Sequence, residues 1–205
     1  MRRSRRCADS RKEARLPKTM PRKIKAACVL LVLMSAFASE VAAQTPRRVK
    51  RNVTRAERAG WRGVLGWPAA CEEAYRAAYA DEERYGGLEF HRLGRGRYLV
   101  EVVCDGGGIQ PSAVFMLYDG RRALALRLPG FEDEEEVRAL TKFDPARREL
   151  LLMSKADAMG TCGLFVRYSF RGARPRVEEA RRQDDCGGAR ATPDTSRWPR
   201  VRLKP

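Results

Sequence analysis

The residues best equipped for chemistry are cysteines, and their spacing decides which chemistry. Six occur in 205 residues, and the last four, Cys71, Cys104, Cys162 and Cys186, are separated by 33, 58 and 24 positions. A zinc ribbon or a thioredoxin-like centre would need a C-x-x-C pair, and none is present. A cysteine nucleophile or a mixed zinc site would depend on the one histidine, His91. An even set of cysteines in an exported chain is most simply a disulfide framework. Four cysteines allow three pairings. Cys71–Cys104 with Cys162–Cys186 is favoured, because each bridge then joins elements adjacent along the chain. Neither a metal nor a cofactor is expected.

Other constellations carry less. Gly106-Gly107-Gly108 follows a strand but lacks the Lys-Ser/Thr ending and the following helix of a phosphate loop, so it reads as a turn or bulge. The acidic run 132–136 lacks the alternating ligands and central glycine of a calcium loop and reads as a solvated helical turn ending in Val137 and Leu140. His91 falls on the face of its strand opposite Phe90 and is expected at the surface. Glu89, Glu101 and Asp105 offer carboxylates, but sequence alone gives no geometry with which to pair them. No catalytic residue is nominated.

The reading of the cysteines depends on export. Arg22, Lys23 and Lys25 precede an uncharged apolar run from Ala26 to Ala38, and Val41-Ala42-Ala43 supplies small residues for a signal peptidase. The run is too short to span a bilayer comfortably, so no transmembrane segment is expected after cleavage. Met20 lies just before the basic stretch and offers an alternative start. Three regions follow: a leader and signal peptide over 1–43, a basic flexible segment over 44–68, and one disulfide-stapled β-rich domain over 69–205. The chain carries 42 Lys and Arg against 26 Asp and Glu, a net charge of +16. Residues 1–43 hold eleven of those bases and three of the acids, so the remainder is close to +8. Half of the apparent basicity belongs to the leader.

The elements that must hold the cysteines are legible from periodicity. Ala69 to Tyr85 reads as one helix, with an alanine-tyrosine face, Glu72 and Glu73 in its first turn and Gly86-Gly87 at its end. The period then becomes two. Residues 97–104 place Tyr98, Val100, Val102 and Cys104 on one face. Residues 113–118 are apolar on both faces and should be central. Leu124, Leu126 and Leu128 share a side of the next strand, as do Leu164, Val166, Tyr168 and Phe170 of a later one. The charged stretch 176–182 suits a sheet edge. Trp61 and Trp67, in a segment broken by Gly and Pro, read as caps on a small core. The fold class is therefore α+β, mostly an antiparallel β-sheet meander with one N-terminal helix.

The sequence "AMGTCG", with Gly160, Cys162 and Gly163, then "CGG" at 186–188 and Trp198-Pro199, resembles a bacterial family of exported proteins known as a domain of unknown function. That family's pattern runs G-x-G-D-C-G, then C-x-G, then W-P, and the strand ending in Cys104 resembles its earlier cysteine-glycine element. The likeness covers roughly residues 71–199. Ala158 and Thr161 stand where the pattern has its first glycine and its aspartate. The resemblance implies an exported β-rich fold with paired cysteines and no activity.

The functional expectation is a periplasmic or secreted binding module of the bacterial envelope. Its partner would be anionic, an envelope component or an acidic protein, drawn to Arg47, Arg48, Lys50 and Arg51 in the basic segment and to Arg181, Arg182, Arg200 and Arg202 near the end. Nucleic acid is not expected, given the scattered basic residues, the strand-core aromatics and the compartment. The alternative is a carboxylate-dependent hydrolase, which would need a cleft with acids close together.

Overall fold

A computed structural model describes residues 53–172 and 174–203. The expected leader and signal peptide, and residues 44–52 of the basic segment, lie outside that range. From Val53 onward the segment expected to be flexible is folded, which corrects the sequence reading. Helix α1 (Arg55–Leu65) is opened by a capping box in which Thr54 Oγ1 accepts from the Glu57 amide and the Glu57 carboxylate accepts from the Thr54 amide. Gly66 closes it in the left-handed conformation. Its buried stripe is Arg58, Trp61 and Leu65, at helical spacing but with an arginine in the apolar register.

Helix α2 (Ala69–Ala78) follows Pro68 and stops seven residues short of the expected end. Arg55 reaches across from α1 and donates to the carbonyls of Tyr79 and Ala80, satisfying the acceptors at that end. The alanine face is also corrected. Cys71, Glu72 and Tyr75 are buried, whereas Ala70, Ala77 and Ala78 face solvent. Alanine favours a helix without favouring a side, and here the bridge at Cys71 sets the side.

Among the described residues nine strands follow: β1 (Leu88–Gly94), β2 (Arg97–Asp105), β3 (Ser112–Tyr118), β4 (Ala123–Ala125), β5 (Val137–Arg138), β6 (Leu140–Asp144), β7 (Glu149–Lys155), β8 (Gly163–Ser169) and β9 (Arg176–Gln183). They form two antiparallel sheets, not one. The first runs β1-β2-β3-β4, with β5 also pairing β3; the second runs β6-β7-β8-β9. The α+β, mostly antiparallel class holds, with a second helix.

Alternation along the strands of the first sheet divides its side chains between two cores. Val100, Val102, Cys104, Val114 and Met116 pack with Trp61, Leu65 and Trp67 beneath the helices. Leu99, Ala113 and Phe115 pack with Leu150, Leu152, Val166 and Tyr168 of the second sheet. Burial on both sides is why 113–118 is apolar throughout. Three other local expectations change. Residues 132–136 form a non-helical turn into β5, and Leu140 is exposed at the start of β6. Only Ala123–Ala125 of the leucine-rich stretch is strand; Leu128 turns into the inter-sheet core while Leu124 stays 67 % exposed. Strand β9 is the edge of its sheet, yet the chain returns along it, with the Arg182 amide donating to Pro199 and the Val201 amide to Ala180.

The helix-side core is tied by one polar knot. Arg58 is 1 % exposed. Its Nε donates to Glu72 at 2.8 Å, and its Nη atoms donate to the carbonyls of Gly86, Gly87 and Val103 at 3.0 Å each. The guanidinium lies over the Tyr75 ring, 3.7 Å from its centroid, and the Trp67 indole donates to the same Glu72 carboxylate. Four elements thus meet on one side chain.

Candidate functional site

Cys71 is bonded to Cys104 and Cys162 to Cys186, with Cα separations of 4.5 and 4.8 Å. The first bridge is fully buried between α2 and the end of β2. The second joins the turn before β8 to the segment after β9. Glu136 places a carboxylate oxygen within 4.8 Å of the Cys71 and Cys104 sulfurs, but bridged sulfur offers no thiolate for a metal. The cysteines are staples. Around Cys162 the turn is carried by Asp157, whose carboxylate accepts from the Thr161 amide at 2.8 Å and from its hydroxyl at 2.5 Å. Those bonds, the hydroxyl's above all, hold Asp157 below the ordinary carboxylate range.

Among the described residues, two broad concavities carry opposite charge. The first, about 1040 Å³, lies between the 79–87 loop, β1 and β2, and is lined by Glu82, Glu83, Glu89 and Glu101 against Arg84. At its inner end Glu101 accepts from the Thr141 hydroxyl at 2.6 Å and meets His91 Nε2 at 3.2 Å, with Glu89 at 3.9 Å from the same nitrogen. His91 is not at the surface as expected. Its side chain is 10 % exposed and stacks on Phe143 of the second sheet, with centroids 4.6 Å apart. The period of two put it on the correct face of β1, but only the second sheet shows that this face is covered. Asp105, the third candidate acid, instead pairs with Arg138 at 3.3 Å. Tyr79 and Tyr85 line the cleft with ring centroids 4.9 Å apart. Burial, then the neighbouring tyrosines and glutamates, push the Tyr85 phenol up to about 12, so it stays protonated.

The second concavity, about 930 Å³, is lined by Leu117, Leu124 and Leu126 on one wall and by Val177 and Leu203 on the other. Its charged residues are Arg127, Arg174 and Arg176, with no carboxylate among the lining. Arg127 donates to the Glu134 carbonyl at 2.8 Å and lies 3.9 Å from Glu135. Arg174 and Arg176 are exposed, with no ion pair among the described residues.

The basic residues singled out from sequence fare differently. Arg47, Arg48, Lys50 and Arg51 lie outside the described residues. Arg181 is turned inward: Nε binds Glu179 at 2.6 Å and Nη1 donates to the carbonyls of Ser196 and Trp198. Arg200 leans on the same Glu179 at 3.9 Å. Arg182 and Arg202 are exposed and unpaired among the described residues. Sequence reasoning missed Arg174 and Arg176, although the exposed β8–β9 turn that carries them could have drawn attention.

Among the described residues no helix is long and apolar enough to cross a membrane. No curated protein and no solved structure matches the chain. A family model described as "Protein of unknown function (DUF1176)" matches residues 34–202. With the match running through both sheets and both bridges, the chain belongs to that family.

Proposed function

We propose that this protein is a periplasmic or secreted binding module that engages an anionic partner at the bacterial envelope. The observation that carries the reading is the concavity lined by Arg127, Arg174 and Arg176 and by no carboxylate. Arg174 and Arg176, which have no ion pair among the described residues, focus positive potential at the depression and raise the local concentration of anions. The two disulfides support the compartment, since such bridges persist where the surroundings are oxidising. The test is sedimentation with phospholipid vesicles, anionic against zwitterionic, from about 50 mM to about 500 mM salt. Binding is expected only to the anionic vesicles and should fall as salt rises. Binding that ignores salt overturns the reading.

A second reading, a carboxylate-dependent hydrolase, is favoured by one observation: Glu89, His91 and Glu101 converge at the acidic cleft. Both Glu101 oxygens are already engaged, by Thr141 and His91, which suits a positioning carboxylate better than a proton donor. Hydrolysis of a model ester or glycoside that disappears in Glu101→Gln while the fold is kept would establish it. Equal rates in the variant and the parent protein retire it.

A further inference from the structure

We propose that the arginine-lined groove binds one long-chain fatty carboxylate, with the alkyl tail between the two sheets and the head group on Arg174 and Arg176. The proposal rests on the anionic-partner reading and names the site and the ligand class.

The groove is the unsealed mouth of the inter-sheet core. Strand β4 is only three residues long, so the first sheet ends before it can cover its neighbours. Leu117 and Leu124 are direct cross-strand partners, and Leu126 continues the same wall. Val177 of β9 and Leu203 of the returning chain form the opposite wall. Leu117, Leu126, Val177 and Leu203 all pack against the buried cluster behind them, so the floor of the groove is continuous with the core. A leucine left 67 % exposed in the open wall is apolar surface without a partner.

Two features choose the occupant. Shape comes first. The walls come from two sheets and enclose a volume within the range of small-molecule sites, which suits a single inserted chain. A flat bilayer surface would leave the floor unfilled. Charge comes second. The three lining arginines without a carboxylate reject a cationic amphiphile, and the planar guanidinium fork matches a carboxylate in two parallel hydrogen bonds. Arg127 is partly committed to Glu134, which leaves the exposed Arg174 and Arg176 as the head-group partners.

Calorimetric titration of the oxidised full chain tests this, with dodecanoate below its micellar concentration, octanoate, and dodecyltrimethylammonium. Dodecanoate should bind saturably at one site. Each methylene buried contributes up to about fourfold in affinity, so the four that octanoate lacks are worth up to about 250-fold, and a loss of about tenfold or more is the expected result. The quaternary ammonium should show no saturable binding. The double variant Arg174→Glu/Arg176→Glu should weaken dodecanoate about tenfold or more, and Leu124→Asp should do the same from the tail side. All three sites are exposed, so an unchanged thermal midpoint shows the fold intact. Like binding of the anion and the cation, indifference to both variants, or no saturable binding overturns the proposal. If dodecanoate fails while anionic vesicles still bind and are released by salt, the fatty-carboxylate assignment is wrong and the broader reading stands. If both fail, both fall.

Discussion

Arg58 shows how one side chain can organise a core that propensity alone would not. Its charge is buried, but a carboxylate and three carbonyls receive it, so the desolvation is offset only while every partner is in place. Arg58→Ala would leave the buried Glu72 carboxylate only the Trp67 indole and the exposed Arg76 guanidinium, and would take the donor from three carbonyls, so urea denaturation should read a loss of about 3–5 kcal/mol. The same pair sets an acid limit. Burial works against the Glu72 carboxylate, but the hydrogen bond and charge of Arg58 outweigh it and hold its pKa below the ordinary range. Its contribution is therefore full above about pH 4.5 and lost as pH falls through the folded value. Glu179, depressed first by its bond from Arg181, acts in the same direction. The urea midpoint should hold from neutral pH to about 5 and then drop, and Glu72→Gln should flatten part of that drop. At Gly163 the constraint is steric. Its φ is +138°, and a Cβ there would sit 2.0 Å from the Ser154 carbonyl oxygen, across the β7–β8 pairing. Gly163→Ala should destabilise by about 2 kcal/mol or more, seen as a lowered thermal midpoint.

At the level of elements, the strands were legible because a period of two is a local property. The alternation of 164–170 is enough to give its inward face, that of 97–104 gives the helix-side face of a strand buried on both sides, and the cysteines at 71 and 104 fall where their elements can meet. Helix α1 was not legible as a folded element. Its stripe runs through Arg58, and a basic run reads as solvated unless one knows that Glu72, Gly86, Gly87 and Val103 will gather around it from later in the chain. The same applies to the alanines of α2, which signal a helix and leave its orientation to the bridge. Each bridge closes a loop large enough to contribute about 3.5 kcal/mol through the unfolded state. Replacing Cys71 and Cys104 together by serine should cost about that much or more, because hydroxyls would then sit in a fully buried site. Replacing Cys162 and Cys186 should cost less, since their loop is the shorter, 24 positions against 33, and Cys186 is at the surface. Denaturation of the two double variants compares them directly.

Across the whole molecule, charge is sorted rather than averaged. An acidic, tyrosine-bearing cleft lies beside β1 and β2, while an arginine-lined apolar groove opens between β4 and β9. Net charge gives only the sum of these, which is why the sequence points to an anionic partner but places it in part on Arg181 and Arg200, both paired with Glu179. Sites assembled from residues 50 or more apart need the sheet pairing before they can be seen. The arrangement predicts that Arg174→Glu/Arg176→Glu reduces capture by anionic vesicles severalfold more than Arg181→Gln does, measured at equal salt. The order of the cysteines has one more consequence. The four that follow residue 43 pair first with second and third with fourth, so neither loop encloses or crosses the other. A polypeptide threaded amino end first into an oxidising space would present each thiol just after its native mate. An oxidase that joins successive thiols as they arrive would therefore give the correct product directly, and recovery of native protein should not depend on a disulfide isomerase.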